Sequence, residues 1–174
     1  MSTDKSAEPI IIPLKSIRTL TSIYVNDFEI TEAEIGQEMQ YHPAPTQEQV
    51  WKLAAQSLVV RQLLLQQAAS NDLCENAASI TPGDQEEDII DQLLQHDVTV
   101  PEADEATCQR FYNTHPDSFM HETSGKRLTF IEAKVYIRDY LHTKAMRVAV
   151  TEYIKALSYQ ADIKGIEFDK LSQQ

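Results

Sequence analysis

The chain has 174 residues, of which 42% are hydrophobic, and this composition supports one domain with a buried core and excludes wholesale disorder. The formal net charge is −12 and no run of lysine or arginine interrupts it, which argues against a nucleic-acid-binding surface. Only 4 glycines are present, too few for a phosphate-binding loop and for many tight hairpins, so the predicted fold class is mainly α.

The expected location follows from what the sequence lacks. No segment approaches the about 18 apolar residues of a membrane span, and Pro13 and Lys15 cut the short apolar run that precedes them, so the start does not read as a secretory signal. We therefore expect a cytoplasmic protein, or a periplasmic one if the natural chain begins upstream of Met1. Cys74 and Cys108 lack CxxC spacing and are predicted to be two reduced thiols rather than a disulfide.

In chain order, residues 1–20 are predicted to form a polar tail with an extended end, and residues 21–174 a single helical domain. The first strand pattern is SIYVNDFEI, where the Asn26-Asp27 pair favours a two-residue turn and predicts a small hairpin. Thr31 then predicts a helix start, because Glu34 follows it at the spacing of a capping box.

The strongest element is the stretch 46–70, TQEQVWKLAAQSLVVRQLLLQQAAS. Thr46 and Gln49 have capping-box spacing, so the hydroxyl and the amide are expected to satisfy two backbone N–H groups reciprocally. The block LVVRQLLLQ within it is apolar over more than half of the helix circumference. A helix of this kind is covered on more than one side, which predicts a central helix with the other segments packed around it.

The second half of the chain predicts further elements separated by polar connectors and prolines. A short helix is predicted at 86–96, and a second helix, capped by Asp104, ends before Pro116. After a connector at 121–127, a long helix opens with a capping box at Thr129 and Glu132 and runs to about residue 159. A last strand is predicted at 163–168. The hairpin and the last strand are predicted to form one small sheet that joins the N- and C-terminal segments.

Four stretches carry a resemblance to a known family. They are YVNDFEIT at 24–31 followed by Glu34, the apolar and leucine-rich pattern at 58–68, the segment from Val100-Pro101 through Phe111-Tyr112 to Phe119, and the segments 144–154 and 163–168. In this order they resemble the SurA-type chaperones and the NifM-type peptidyl-prolyl isomerases, in which a helical chaperone domain accompanies a parvulin domain. Asp27 stands where the family usually has glycine.

The resemblance also shows a large departure. A parvulin domain should begin shortly after Phe119 and bring glycine-rich loops around the isomerase site, but none of its motifs is present. The resemblance therefore implies a SurA-like N-terminal chaperone domain with its C-terminal helix, and a junction near 120–128 where the parvulin domain is either naturally missing or was removed.

Candidate chemical groups are sparse. The five histidines show neither HxxxH nor HExxH spacing, the cysteines have no activating cation beside them, and Ser57 lacks the GxSxG elbow. The acidic runs at 84–91 and 102–105 lie at predicted helix starts, where they complement the positive end of the helix. We therefore predict no catalytic, cofactor-binding or metal-ligating residue, no cofactor, and a protein that is not an enzyme.

Apolar residues in excess of one core are the more informative feature. Methionine and aromatic side chains suit a surface that accepts many sequences, whereas any single residue of this kind is more often ordinary core. The predicted peptide-binding residues are Met39, Tyr41, Phe111, Tyr112, Phe119, Met120, Tyr136, Tyr140 and Met146. Trp51 is instead expected to be packed.

These expectations combine into one functional hypothesis with alternatives. The resemblance implies ATP-independent, chaperone-like binding of unfolded or nascent client proteins, in an apolar groove between the long C-terminal helix and the 102–119 region. One alternative is a peptidyl-prolyl isomerase family member whose catalytic domain is gone. The other is an adaptor domain that docks one dedicated partner or forms a homodimer.

Overall fold

A computed structural model describes residues 22–80, 83–121 and 125–167. The protein is mainly helical and carries a small antiparallel sheet, which confirms the predicted fold class. The strands are β1 (Ile23–Val25), β2 (Phe28–Ile30) and β3 (Ile163–Lys164), and the α-helices are α1 (Glu32–Glu38), α2 (Gln47–Ser70), α3 (Asp84–Asp97), α4 (Glu105–Thr114) and α5 (Phe130–Gln160). Short 3₁₀ turns at Met39–Tyr41, Ala77–Ser79 and Pro116–Phe119 connect them.

The sheet has the strand order β2-β1-β3, so the hairpin and the terminal segment meet as predicted. The hairpin turns at Asn26, whose φ of 56° is the left-handed conformation that asparagine tolerates. Asn26 also locks β3 in place, because its backbone N–H donates to the Asp162 carbonyl at 2.8 Å and its side-chain oxygen accepts from the Asp162 N–H at 2.9 Å.

The last strand is shorter than the predicted 163–168. Gly165 follows it with a φ of +85°, and a Cβ at this position would lie 2.3 Å from the Ser22 carbonyl oxygen. The chain therefore turns away from β1 at a position that only glycine fits. Phe168, the predicted tail at 1–20 and residue 21 lie outside the described residues.

Helix α2 is the predicted central helix. Ala54, Ala55 and Val59 are fully buried toward the sheet and α1, while Leu64 and Ala68 are buried against α3 and α5. The Thr46 hydroxyl accepts from the Gln49 N–H at 3.2 Å, but the expected return bond from the Gln49 amide does not form.

Charge explains why the other two predicted capping boxes are complete. The Glu34 carboxylate accepts from the Thr31 N–H at 2.7 Å, and the Glu132 carboxylate from the Thr129 N–H at 2.8 Å. An ionised acceptor makes a stronger bond to a backbone N–H than a neutral amide does.

Two units are built on α5. The body consists of the sheet, α1, α2, α3 and the C-terminal part of α5, whose Ile154 and Leu157 pack on α2 and α3. The outer lobe consists of α4, the turn Pro116–Phe119 and the N-terminal part of α5. Its core of Cys108, Ala133 and Ile137 shares no residue with the body's two cores among the described residues.

Candidate functional site

Exposed aromatic and methionine side chains meet on the outer lobe. The Phe111 ring centroid lies 5.4 Å from that of Tyr140 and 6.2 Å from that of Phe119, and Met120 follows Phe119 in the chain. Tyr136 precedes Tyr140 by one turn of α5. We call these five residues the aromatic patch.

The patch is open because its members sit at the margin of the outer-lobe core. Tyr136 is 68% exposed, Tyr140 is 52% exposed and Met120 is 47% exposed, while Phe111 and Phe119 are half-buried beneath them. Exposed large apolar side chains are normally scattered singly, and grouped ones are typical of interaction sites, so the aromatic patch is the candidate site.

Neighbouring side chains fix the positions of the rings in and beside the patch. The Tyr112 hydroxyl donates to the Leu128 carbonyl at 2.5 Å, and the Arg127 guanidinium lies 3.9 Å from the centroid of the Tyr112 ring. The His115 ring stacks on Phe111 with 4.0 Å between centroids. Tyr112, a predicted peptide-binding residue, therefore supports the patch from inside the lobe.

The remaining predicted residues lie elsewhere. Met39 packs against the main core of the body, as Trp51 does, and Tyr41 is 70% exposed on the turn Met39–Tyr41. Met146 is half-buried on the stretch of α5 between body and outer lobe. The structure thus brings Phe111, Tyr112, Phe119 and Tyr140 into contact, places Met120 and Tyr136 on the same lobe, and puts Met39, Tyr41 and Met146 elsewhere.

A second cluster, this one polar, links the first three helices of the body. The Arg61 Nε of α2 lies 2.5 Å from a Glu86 carboxylate oxygen of α3, and Arg61 Nη1 lies 3.8 Å from Glu38 of α1. Burial raises the pKa of the Glu86 carboxyl, and the Arg61 charge opposes that shift. The cluster borders an open cavity of about 660 Å³.

Two further side chains of this cluster contact the Glu38 carboxylate. The Ser57 hydroxyl donates to Glu38 Oε1 at 3.0 Å, and His42 Nε2 lies 3.0 Å from the same oxygen. In a Ser-His-Asp triad the imidazole lies next to the hydroxyl and the carboxylate lies behind the imidazole. Here the Glu38 carboxylate lies between Ser57 and His42, so the arrangement differs from a triad and joins α1 to α2.

Sequence reasoning missed this cluster, although one signal was visible. Arg61 is the one charged residue in the apolar block at 58–66, and a cation there needs a carboxylate partner once the helix is buried. From the sequence, Glu86 is a carboxylate near a predicted helix start, and that position does not predict a partner on another helix.

The described part of the chain contains no group of three His, Cys, Asp or Glu side chains arranged to hold a metal ion, and both cysteines are free. Within the same residues, no helix combines the length and the hydropathy needed to cross a bilayer.

Comparison of the chain with protein-family models, with curated proteins and with solved structures finds no match.

Proposed function

We propose that this protein binds unfolded or extended polypeptide segments through the aromatic patch of the outer lobe, without ATP and without catalysis. The observation that carries the proposal is the exposure of Tyr140, whose ring packs on Phe111, beside the exposed Tyr136 one helical turn away; Met120, next to Phe119 in the chain, is exposed as well. Aromatic rings bury much area with few rotatable bonds, and methionine adapts its shape, so such a surface accepts many sequences.

The architecture supports the same proposal. Helix α4 packs chiefly on α5, so the rings of the patch lie at the side of a long helix. A SurA-like origin of this arrangement stays a prediction, and the proposal depends on the exposed surface rather than on that resemblance.

The first test is suppression of the aggregation of an unrelated unfolding protein, at a 1:1 ratio and without ATP. We expect the protein to suppress aggregation and the Met120→Ala/Tyr140→Ala variant to bind the unfolding protein about tenfold more weakly, because two large apolar side chains no longer bury area. Light scattering reports suppression, and circular dichroism shows that the variant is folded.

A matched control removes one tyrosine and one aliphatic residue from the body. Tyr41 and Leu53 are both exposed there, so the Tyr41→Ala/Leu53→Ala variant should suppress aggregation as well as the unmodified protein. Equal loss in both variants would place binding outside the outer lobe. A folded, soluble protein that suppresses nothing would favour the adaptor that docks one dedicated partner.

A further inference from the structure

The aromatic patch continues along α5 into a cationic surface. Tyr136, Tyr140, Lys144 and Arg147 follow one another at spacings of four, four and three residues, which places them on one side of the helix. All four side chains are exposed. We call these four residues the α5 stripe; it is roughly 16 Å long at the ~1.5 Å rise per residue of a helix.

The cationic end of the stripe has no acidic partner among the residues that the structure describes. Residues 140–151 contain no Asp or Glu, and neither Lys144 nor Arg147 forms an ion pair with any residue that the structure describes. By contrast, Lys134 and Lys155 of the same helix are paired with Glu105 and Glu152 at 2.6 and 2.8 Å.

The region around the stripe is slightly basic, whereas the whole molecule is strongly acidic. Residues 1–103 carry 17 acidic and 5 basic side chains, whereas residues 104–147, which contain the outer lobe and the stripe, carry 6 acidic and 7 basic ones. Since charges more than about 8 Å apart are largely screened at physiological ionic strength, a segment lying on the stripe responds to Lys144 and Arg147 rather than to the acidic body.

From this complementarity we infer that the preferred clients are acidic amphipathic segments, whose apolar side chains cover Tyr136 and Tyr140 while their carboxylates pair with Lys144 and Arg147. An extended chain advances about 3.3 Å per residue, so a stripe of roughly 16 Å matches about five client residues. The preferred segment therefore carries aromatic or aliphatic residues followed within about five positions by two Asp or Glu. This inference rests on the proposed function and adds the chemical class of the client.

The test uses three fluorescein-labelled peptides that differ at two positions only. Each carries the same pair of phenylalanines, followed three and four residues later by two Glu, two Gln or two Lys. Fluorescence anisotropy with the full chain should give a Kd about fivefold lower for the Glu peptide than for the Gln peptide, as two exposed ion pairs predict, and the highest Kd for the Lys peptide. Raising the salt concentration to about 0.5 M should reduce the difference.

Variants then assign the preference to the stripe. Lys144→Gln/Arg147→Gln should raise the Kd of the Glu peptide to that of the Gln peptide and leave the Gln peptide unchanged. The control Lys52→Gln/Lys164→Gln removes the same charge from exposed positions of the body and should preserve the preference.

The outcomes separate the inference from the proposed function. Equal binding of the three peptides, tightest binding of the Lys peptide, or a preference that survives in the stripe variant would overturn the inference and leave polypeptide binding intact. Failure of all three peptides to bind would count against the proposed function itself.

Discussion

At the residue scale, Asp97 is the point where three helices are joined. Its carboxylate accepts from the Tyr153 hydroxyl of α5 and, at 3.0 Å, from the Asn71 side-chain amide at the end of α2, and it lies 2.5 Å from His96 Nδ1. These hydrogen bonds hold the pKa of Asp97 below its usual value, and the bond from Tyr153 has the largest effect. Burial and the adjacent carboxylate raise the pKa of Tyr153, so its hydroxyl keeps the proton that it donates.

The hydrogen bonds to Asp97 predict that removing the Tyr153 hydroxyl lowers the free energy of unfolding by an amount that depends on pH. Tyr153→Phe should lower the free energy of unfolding by about 1.5–3 kcal/mol at pH 7, the usual range for a hydrogen bond to a charged group. Because the folded-state pKa of Asp97 is lowered, this stabilisation is present above its unfolded value of about 3.9 and is lost as the pH falls through the folded value.

Urea unfolding from pH 8 to about pH 3 measures both parts of this prediction. Tyr136→Phe is the matched control, since its hydroxyl is exposed and forms no hydrogen bond among the described residues, and it should change little. A Tyr153→Phe cost that stays the same down to pH 3 would show that the charge of Asp97 is not what strengthens the bond.

At the scale of elements, the capping box of Thr129 and Glu132 holds the first turn of α5, which belongs to the outer lobe. Thr129→Ala removes both the acceptor for the Glu132 N–H and the hydroxyl that donates to the Glu132 carboxylate at 2.7 Å. We expect a loss of about 1 kcal/mol, and faster amide exchange in the first turns of α5 than in α2. Amide hydrogen exchange checks both.

The control for this prediction is the same substitution inside the same helix. Thr143 is exposed in the middle of α5, where alanine has the higher helix propensity, so Thr143→Ala should stabilise by a few tenths of a kcal/mol. Equal effects of the two variants would mean that the capping bonds contribute nothing beyond propensity.

The elements themselves were largely predictable because their signals are local. Capping residues, the Asn26 turn and the apolar block of α2 each act within a few positions, and the helices begin where these signals stand, except that α3 starts at Asp84 rather than Glu86. The missed contacts are long-range. Tyr153 and Asp97 are 56 residues apart, and no spacing rule pairs them.

The candidate site was predictable in part for the same reason. Tyr136, Tyr140 and Lys144 recur at helical spacing, so their shared side follows from the sequence. The separation of Met39 and Tyr41 from the patch does not, because it depends on the outer lobe having its own core.

At the scale of the whole molecule, one helix joins the body to an outer lobe that has its own core, and this predicts that the outer lobe opens without the body. Cys108 is fully buried in the outer-lobe core and reports that opening through its reaction with a thiol reagent. In a Cys74→Ser background, Ile137→Ala should remove about 2–5 kcal/mol from the lobe and speed Cys108 labelling by about thirtyfold or more.

Leu93→Ala is the matched control, because Leu93 is fully buried in the body rather than in the lobe. It should lower the global free energy of unfolding. Under native conditions it should leave the rate of Cys108 labelling nearly unchanged, because labelling there proceeds through local opening of the lobe. If Leu93→Ala accelerates labelling as much as Ile137→Ala does, the body and the outer lobe unfold as one unit. The outer lobe would then be a rigid extension of the body, and the aromatic patch would have to bind its clients without any independent opening of the lobe.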